Sequence, residues 1–196
     1  MKRDEVMKQN NLEKSQLRKK EIIKAAMQLF SEKGYEQTSM RDIAKNMGVS
    51  LGLCYRYFDS KQILFNTAIE FYIEECCEQY LDVLHDPQVR LQDKIKVLFD
   101  SIGNEHPQME YYDFFHRIEN QELHEQLSIK LCKYMYPHLL QEVKKAVVAN
   151  EIKINNPETL VSFITYGQIG LLSKADTDHQ QVAKTLYEYV VKLLDI

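Results

Sequence analysis

Residues 38–61 read TSMRDIAKNMGVSLGLCYRYFDSK, and their punctuation decides the fold. Ser39 is a helix N-cap, and Asp42 three residues on makes a capping-box variant. Met40, Ile43, Ala44 and Met47 follow at helical spacing as an inward face. Gly48 closes a four-residue turn, because glycine takes a positive φ without steric penalty. Val49 plugs the angle, and Ser50 caps a second, short helix. That helix carries Gly52 in its interior and ends in Tyr55, Tyr57 and Phe58. Lys61 then stands in the first turn of a third helix.

Upstream, Ile22, Ala26 and Leu29 with Ile23, Met27 and Phe30 make a broad apolar stripe over a helix at 15–33. Gly34 supplies its left-handed stop, and Tyr35 folds back onto the last turn. Residues 1–14 are polar and are expected to be a flexible or frayed N-terminal arm, either loose chain or a frayed helical extension. Downstream, Ser60 starts a long helix to about residue 84, with Leu64, Ala68 and Phe71 inward, ended by His85-Asp86-Pro87. Further helices are expected over 88–103, 107–119, 121–149, 157–173 and 178–194. Pro137 should kink the 121–149 helix near Lys133–Pro137, and Asn156-Pro157 opens the next one. The expectation is an all-α fold of about nine helices. It comprises a helix-turn-helix domain at 15–61 and a helical body at 62–196.

Composition supports that reading. The 196 residues hold only six glycines and four prolines, and almost no segment alternates with period two. Residues 1–61 carry 13 Lys/Arg against 8 Asp/Glu, whereas residues 62–196 carry 12 against 21. A basic head on an acidic body fits a nucleic-acid reader attached to a sensor. The N-terminus has no apolar signal-peptide core and no run approaches 18 apolar residues, so a cytoplasmic protein with no membrane partner is expected. Cys54, Cys76, Cys77 and Cys132 match no zinc spacing and read as reduced thiols. Asp113 and His116 would share one helical face, but a di-iron bundle needs paired Glu-x-x-His motifs plus two further glutamates, and no second copy of the motif is present. No nucleophile elbow, phosphate loop or dinucleotide fingerprint occurs, so neither an enzyme, a cofactor nor a metal site is expected.

The short helix after Ser50 has the requirements of a DNA-reading helix. Its first turn must reach base edges, its backbone must come close, and flanking donors must hold phosphates. Gly52 in a helix interior costs about 1 kcal/mol against alanine, which close approach to DNA would offset. Arg56 has the fork that reads guanine N7 and O6, and Tyr55 and Tyr57 offer hydroxyls to phosphates. The alternative is that these aromatics are core residues at helical spacing and Arg56 a solvated arginine.

The segment from Arg18 to Leu64 resembles the DNA-binding domain of the tetracycline-repressor (TetR) family of bacterial transcription regulators. The resemblance rests on Ile22/Ile23 and Ala26, Leu29-Phe30, Gly34-Tyr35, Thr38, Ile43-Ala44, Gly48-Val49-Ser50, Gly52, Tyr55, Tyr57-Phe58, Lys61 and Leu64. It implies that Ser39, Tyr55, Tyr57 and Lys61 contact phosphates; Ser50, with the N–H groups of the first turn, can donate to phosphate on its own chemistry. It implies that Arg41 reaches a base or phosphate, and that Leu51, Gly52, Leu53 and Arg56 face bases or approach the backbone. Leu51 departs from the usual polar residue, which makes part of the readout apolar, against a thymine methyl for instance. Cys54 stands where leucine is usual and reads as a small buried hydrophobe, with a redox-sensing thiol as the alternative.

In the body, the run around Met109, Tyr112, Phe115 and His116, together with Tyr136, Phe163 and Tyr166, is the candidate ligand pocket. Ordinary core packing is the alternative. The resemblance implies a homodimer through the last two helices, with Phe163, Gly167, Gly170, Leu171, Val182, Leu186, Tyr189 and Val190 as candidate interface residues. The expected function is a ligand-responsive regulator: a repressor released from a palindromic double-stranded DNA operator by a small apolar or aromatic ligand. A helical small-molecule binder that no longer binds DNA is the second reading.

Overall fold

The computed structural model describes residues 2–102, 111, 114–115, 121–172 and 178–196. All its regular elements among these residues are helices: α1 (Lys2–Lys33), α2 (Met40–Asn46), α3 (Leu51–Tyr57), α4 (Lys61–His85), α5 (Leu91–Ile102), α6 (Gln121–Val148), α7 (Pro157–Gly167), the single turn α8 (Ile169–Leu172) and α9 (His179–Leu194). The chain divides into two compact units, Met1–Tyr72 and Ile73–Ile196. The division falls inside α4 rather than after Lys61. The reason is burial: Leu64, Phe65, Ala68 and Ile69 complete the core of the first unit.

That core gathers Ile22, Ile23, Ala26, Leu29 and Phe30 of α1 with Ile43 and Ala44 of α2 and Cys54 of α3. Phe30, Tyr35 and Phe65 form an aromatic triangle with centroids 4.5–5.4 Å apart. Helix α1 starts at Lys2, so of the two expected forms of the polar segment, residues 2–14 take the helical extension. Within it Met7 and Leu12 are exposed. It prolongs a helix already nucleated by the buried turns at 22–30, and adding residues to an existing helix is far easier than starting one.

The second unit packs α5, α6, α7 and α9 around Leu91, Ile95, Phe99, Val143, Ala146, Ile152, Val161, Val190 and Leu194. Helix α6 continues through Pro137, whose missing N–H leaves the Lys133 carbonyl without its usual i+4 donor. Helix α5 begins at Leu91, not at 88, because Asp86 Oδ1 accepts from the Gln88 N–H at 2.8 Å and turns the chain first. The helix expected over 157–173 is interrupted between Gly167 and Gln168. Gln168 keeps right-handed helical angles, φ −77° and ψ −19°, so the hydrogen-bond ladder lapses there without a reversal of the chain. The expected 107–119 helix lies largely outside the described residues.

Inside this unit Lys94 Nζ lies 2.6 Å from Glu142 Oε2, with both side chains at most 6 % exposed. Lys145 Nζ holds the other oxygen at 2.6 Å. Burial alone would raise the Glu142 pKa; the hydrogen bonds from Lys145 and Lys94, with their charges, outweigh it and hold the carboxyl below its ordinary range.

Candidate nucleic-acid interface

Short-range bonds place each part of the helix-turn-helix. Gly34, at φ +88°, ends α1, and its N–H donates to the Phe30 carbonyl at 2.8 Å. The buried Thr38 hydroxyl donates to the carbonyls of Gly34 (2.9 Å) and Leu29 (3.3 Å), closing the exit from α1. Ser39 and Asp42 form a reciprocal capping box: the Asp42 N–H donates to Ser39 Oγ, and the Ser39 N–H donates to Asp42 Oδ2. These bonds from Ser39 hold the Asp42 carboxyl below its ordinary pKa. Gly48 takes φ +66°, and the Val49 N–H then donates to the Ala44 carbonyl at 2.9 Å, fixing the angle between α2 and α3. Ser50 Oγ accepts from the Leu53 N–H at 3.3 Å, which leaves its hydroxyl proton available to a phosphate.

Helix α3 is two-faced. Cys54 and the following Phe58 are fully buried behind it. Ser50, Gly52, Tyr55 and Arg56 lie on its exposed side, with Leu51, Leu53 and Tyr57 half-buried at the margins. Arg56 stacks its guanidinium 5.4 Å from the Tyr57 ring centroid. A Cβ on Gly52 would meet nothing within 4 Å, so packing inside the protein does not require a glycine there. Ser39 and Arg41 are exposed at the start of α2. The Cys54 thiol has its pKa raised by burial, which fits a packing role and not a reactive thiolate.

Lys61 occupies a place the sequence did not indicate. Its ammonium donates to the Tyr35 carbonyl at 2.9 Å and to Glu36 at 3.5 Å, and lies over the Tyr35 ring. Tyr35 Oη in turn donates to Gln62 Oε1 at 2.9 Å. Two of the three ammonium hydrogens are thereby used, and one remains for a phosphate.

The residues singled out in the body are dispersed. Met109, Tyr112 and His116 lie outside the described residues. Phe115 is fully buried, and the Tyr136 and Tyr166 rings approach to 6.2 Å. Phe163 is 65 % exposed, a surface position and not a pocket wall. Tyr136 also borders an open depression of 660 Å³ along α6 with Pro137, Leu140, Lys144 and Val148. Of the interface candidates, Phe163, Gly167, Gly170, Leu171 and Tyr189 are exposed, and Val182 and Leu186 are half-buried. Val190 belongs to the internal core, because on α9 it shares the inward face with Ala183 and Leu194. Among the described residues no three His, Cys, Asp or Glu side chains converge as metal ligands, and no helix is long and apolar enough to cross a membrane.

Comparison with known proteins agrees with this geometry. Residues 22–68 match the model of the bacterial regulatory proteins of the tetR family. The HTH-type transcriptional regulator YuxN of Bacillus subtilis is 31% identical over 100 residues, which is 50% of this chain and 32% of that protein. The negative transcriptional regulator of the biofilm operon icaADBC, IcaR of Staphylococcus aureus, is 39% identical over 64 residues, 33% of this chain and 32% of that one. The chain thus spans about a third of the length of these curated relatives. The structure of the transcriptional regulator FadR from Bacillus subtilis, in complex with stearoyl-CoA, superposes with a TM-score of 0.56 at 20% identity. It covers 87% of this chain and 96% of its own, a likeness of fold. The capped helix-turn-helix lies inside the segment, residues 22–68, that is similar to the tetR family of bacterial regulatory proteins.

Proposed function

We propose that the protein is a homodimeric, ligand-responsive repressor that acts in the cytoplasm on a palindromic double-stranded DNA operator. The observation that carries this reading is the outer side of α3: Ser50, Gly52, Tyr55 and Arg56 stand exposed on a helix fixed by caps and backed by Cys54 and Phe58. Exposed aromatic and basic side chains around an open glycine have no packing role to explain them, and they are the side chains that reach bases and phosphates. Ser39, Arg41, Tyr57 and Lys61 border the same surface as phosphate or base contacts, and Leu51 and Leu53 give an apolar edge for a thymine methyl.

A dimer sets two such helices about one DNA turn apart, roughly 34–36 Å. The exposed Phe163, Leu171 and Tyr189, beside the open glycines 167 and 170, are the contact face. Repression is supported by the similarity to IcaR, a negative regulator. A small apolar or aromatic effector is supported by FadR, whose structure holds stearoyl-CoA, and by the paired Tyr136 and Tyr166 rings, 6.2 Å apart. The effector needs only to bind better to the arrangement whose helix spacing misses the operator. Helix α4, which contributes residues to both units, is the connecting element.

The test is a gel shift on DNA flanking the protein's own gene, with scrambled competitor at fixed physiological salt. Specific retardation at nanomolar protein supports the reading, and compounds that release the DNA then identify the effector class. If random-sequence selection also yields no preferred site, the helix-turn-helix does not read DNA.

A further inference from the structure

We propose that His85 and His138 form a two-imidazole site for a divalent transition-metal ion of the nickel, copper and zinc class. His85 is the last residue of α4, and His138 follows Pro137 in α6. Although 53 residues apart in sequence, His85 Nε2 and His138 Nδ1 lie 3.2 Å from each other. Their ring centroids are 5.1 Å apart at 51°.

Imidazole nitrogens bind such ions at about 2.0–2.1 Å. Two nitrogens about 2.1 Å from one ion and 3.2 Å apart subtend roughly 100° at it, between the octahedral and tetrahedral values. The pair therefore already has the separation of two neighbouring ligands. Both rings would have to rotate about their Cβ–Cγ bonds to turn the two lone pairs from each other onto a shared point. Without a metal, one nitrogen must carry a proton for the contact to be a hydrogen bond, and the ion replaces that proton.

The surroundings suit a labile site. His85 is exposed and His138 half-buried, so an ion enters from solvent and keeps water ligands. The Tyr134 ring packs 5.5 Å from the His138 ring and steadies it. No third His, Cys, Asp or Glu among the described residues joins the pair, so the remaining positions stay open to water or to an anionic ligand. The ion would tie the end of α4 to α6 within the second unit, and this does not depend on the DNA-binding reading.

The experiment uses the full chain with reduced thiols. Nickel(II) binding is measured by calorimetry for the wild type, His85→Gln and His138→Gln, with helicity checked by circular dichroism. One ion per protomer is expected for the wild type, with affinity at least roughly tenfold weaker in each variant. Nickel(II) should raise Tm for the wild type and not for folded variants. Copper(II) bound to the wild type should show electron-spin resonance splitting from two nitrogens, which tests the site even where a variant folds poorly. Unchanged affinity in both variants, no binding, or splitting from one nitrogen or none would overturn the proposal.

Discussion

The Lys61 ammonium lies 2.9 Å from the Tyr35 carbonyl oxygen and 4.1 Å from the centroid of the ring of that same residue. One side chain from the start of α4 thus ties down the chain just after α1 and covers one ring of the aromatic triangle. Lys61→Ala should lower stability by about 1 kcal/mol, since a charged donor to a carbonyl is worth more than a neutral one but this one is partly exposed. It should also weaken binding to all DNA sequences alike. A thermal melt reads the first effect; the salt dependence of binding reads the second, falling by about one in slope if the third hydrogen holds a phosphate. An unchanged Tm would refute the structural role.

Gly52→Ala separates folding from DNA approach. A Cβ there meets nothing within 4 Å, so the free protein should gain up to about 1 kcal/mol of helix stability. On the proposed function DNA affinity should fall at the same time, because the added methyl would stand between the α3 backbone and the duplex. A variant that is more stable and binds operator as well as the wild type would show that this backbone does not approach DNA.

Arg56 and Tyr55 should fail differently. Arg56→Ala is expected to relax preference at one base pair, at about 1–3 kcal/mol there. Tyr55→Phe should weaken operator and random DNA equally, because a hydroxyl on phosphate carries no sequence information. Binding to a panel of single-base operator variants distinguishes the two patterns.

The helix-turn-helix was legible because its determinants are local. Ser39 with Asp42, Gly48, Ser50 and Ser60 each act within three or four residues, and the sequence displays them in order. What was not legible depends on distance or on continuity. Charged residues at helical spacing, such as Lys94 and Glu142, read as solvated until the fold buries them together across 48 residues. Likewise Lys61 reads as a free basic residue until Tyr35 is brought beneath it. The lapse at Gly167–Gln168 leaves no mark because apolar residues continue on both sides. Val190 and Tyr189 are neighbours in sequence, yet one faces the core and the other solvent.

The buried carboxylate makes the second unit acid-sensitive. The pKa of Glu142 is lowered in the folded state, so its contribution is full above the ordinary carboxylate range. It is lost as pH falls from that range through the lower folded value. Glu142→Gln should remove this dependence and, by leaving Lys94 without its counter-charge, destabilise the protein by about 3 kcal/mol. Replacing both with apolar residues, Lys94→Met and Glu142→Leu, should restore much of that loss. Urea denaturation followed by far-ultraviolet circular dichroism between pH 3 and about 7 measures both effects. A wild-type and Glu142→Gln pair with parallel pH profiles would contradict the assignment.

Phe163 and Tyr189, 65 % and 57 % exposed, have one further consequence. Aromatic surface of this kind on a single protomer favours self-association. If only the pair of protomers grips an operator, occupancy at low abundance rises with the square of protomer concentration. Halving the gene dose would then cut occupancy about fourfold, by mass action alone. The steepness of the genetic response would be written in two exposed rings, far along the chain from any residue that reads a base.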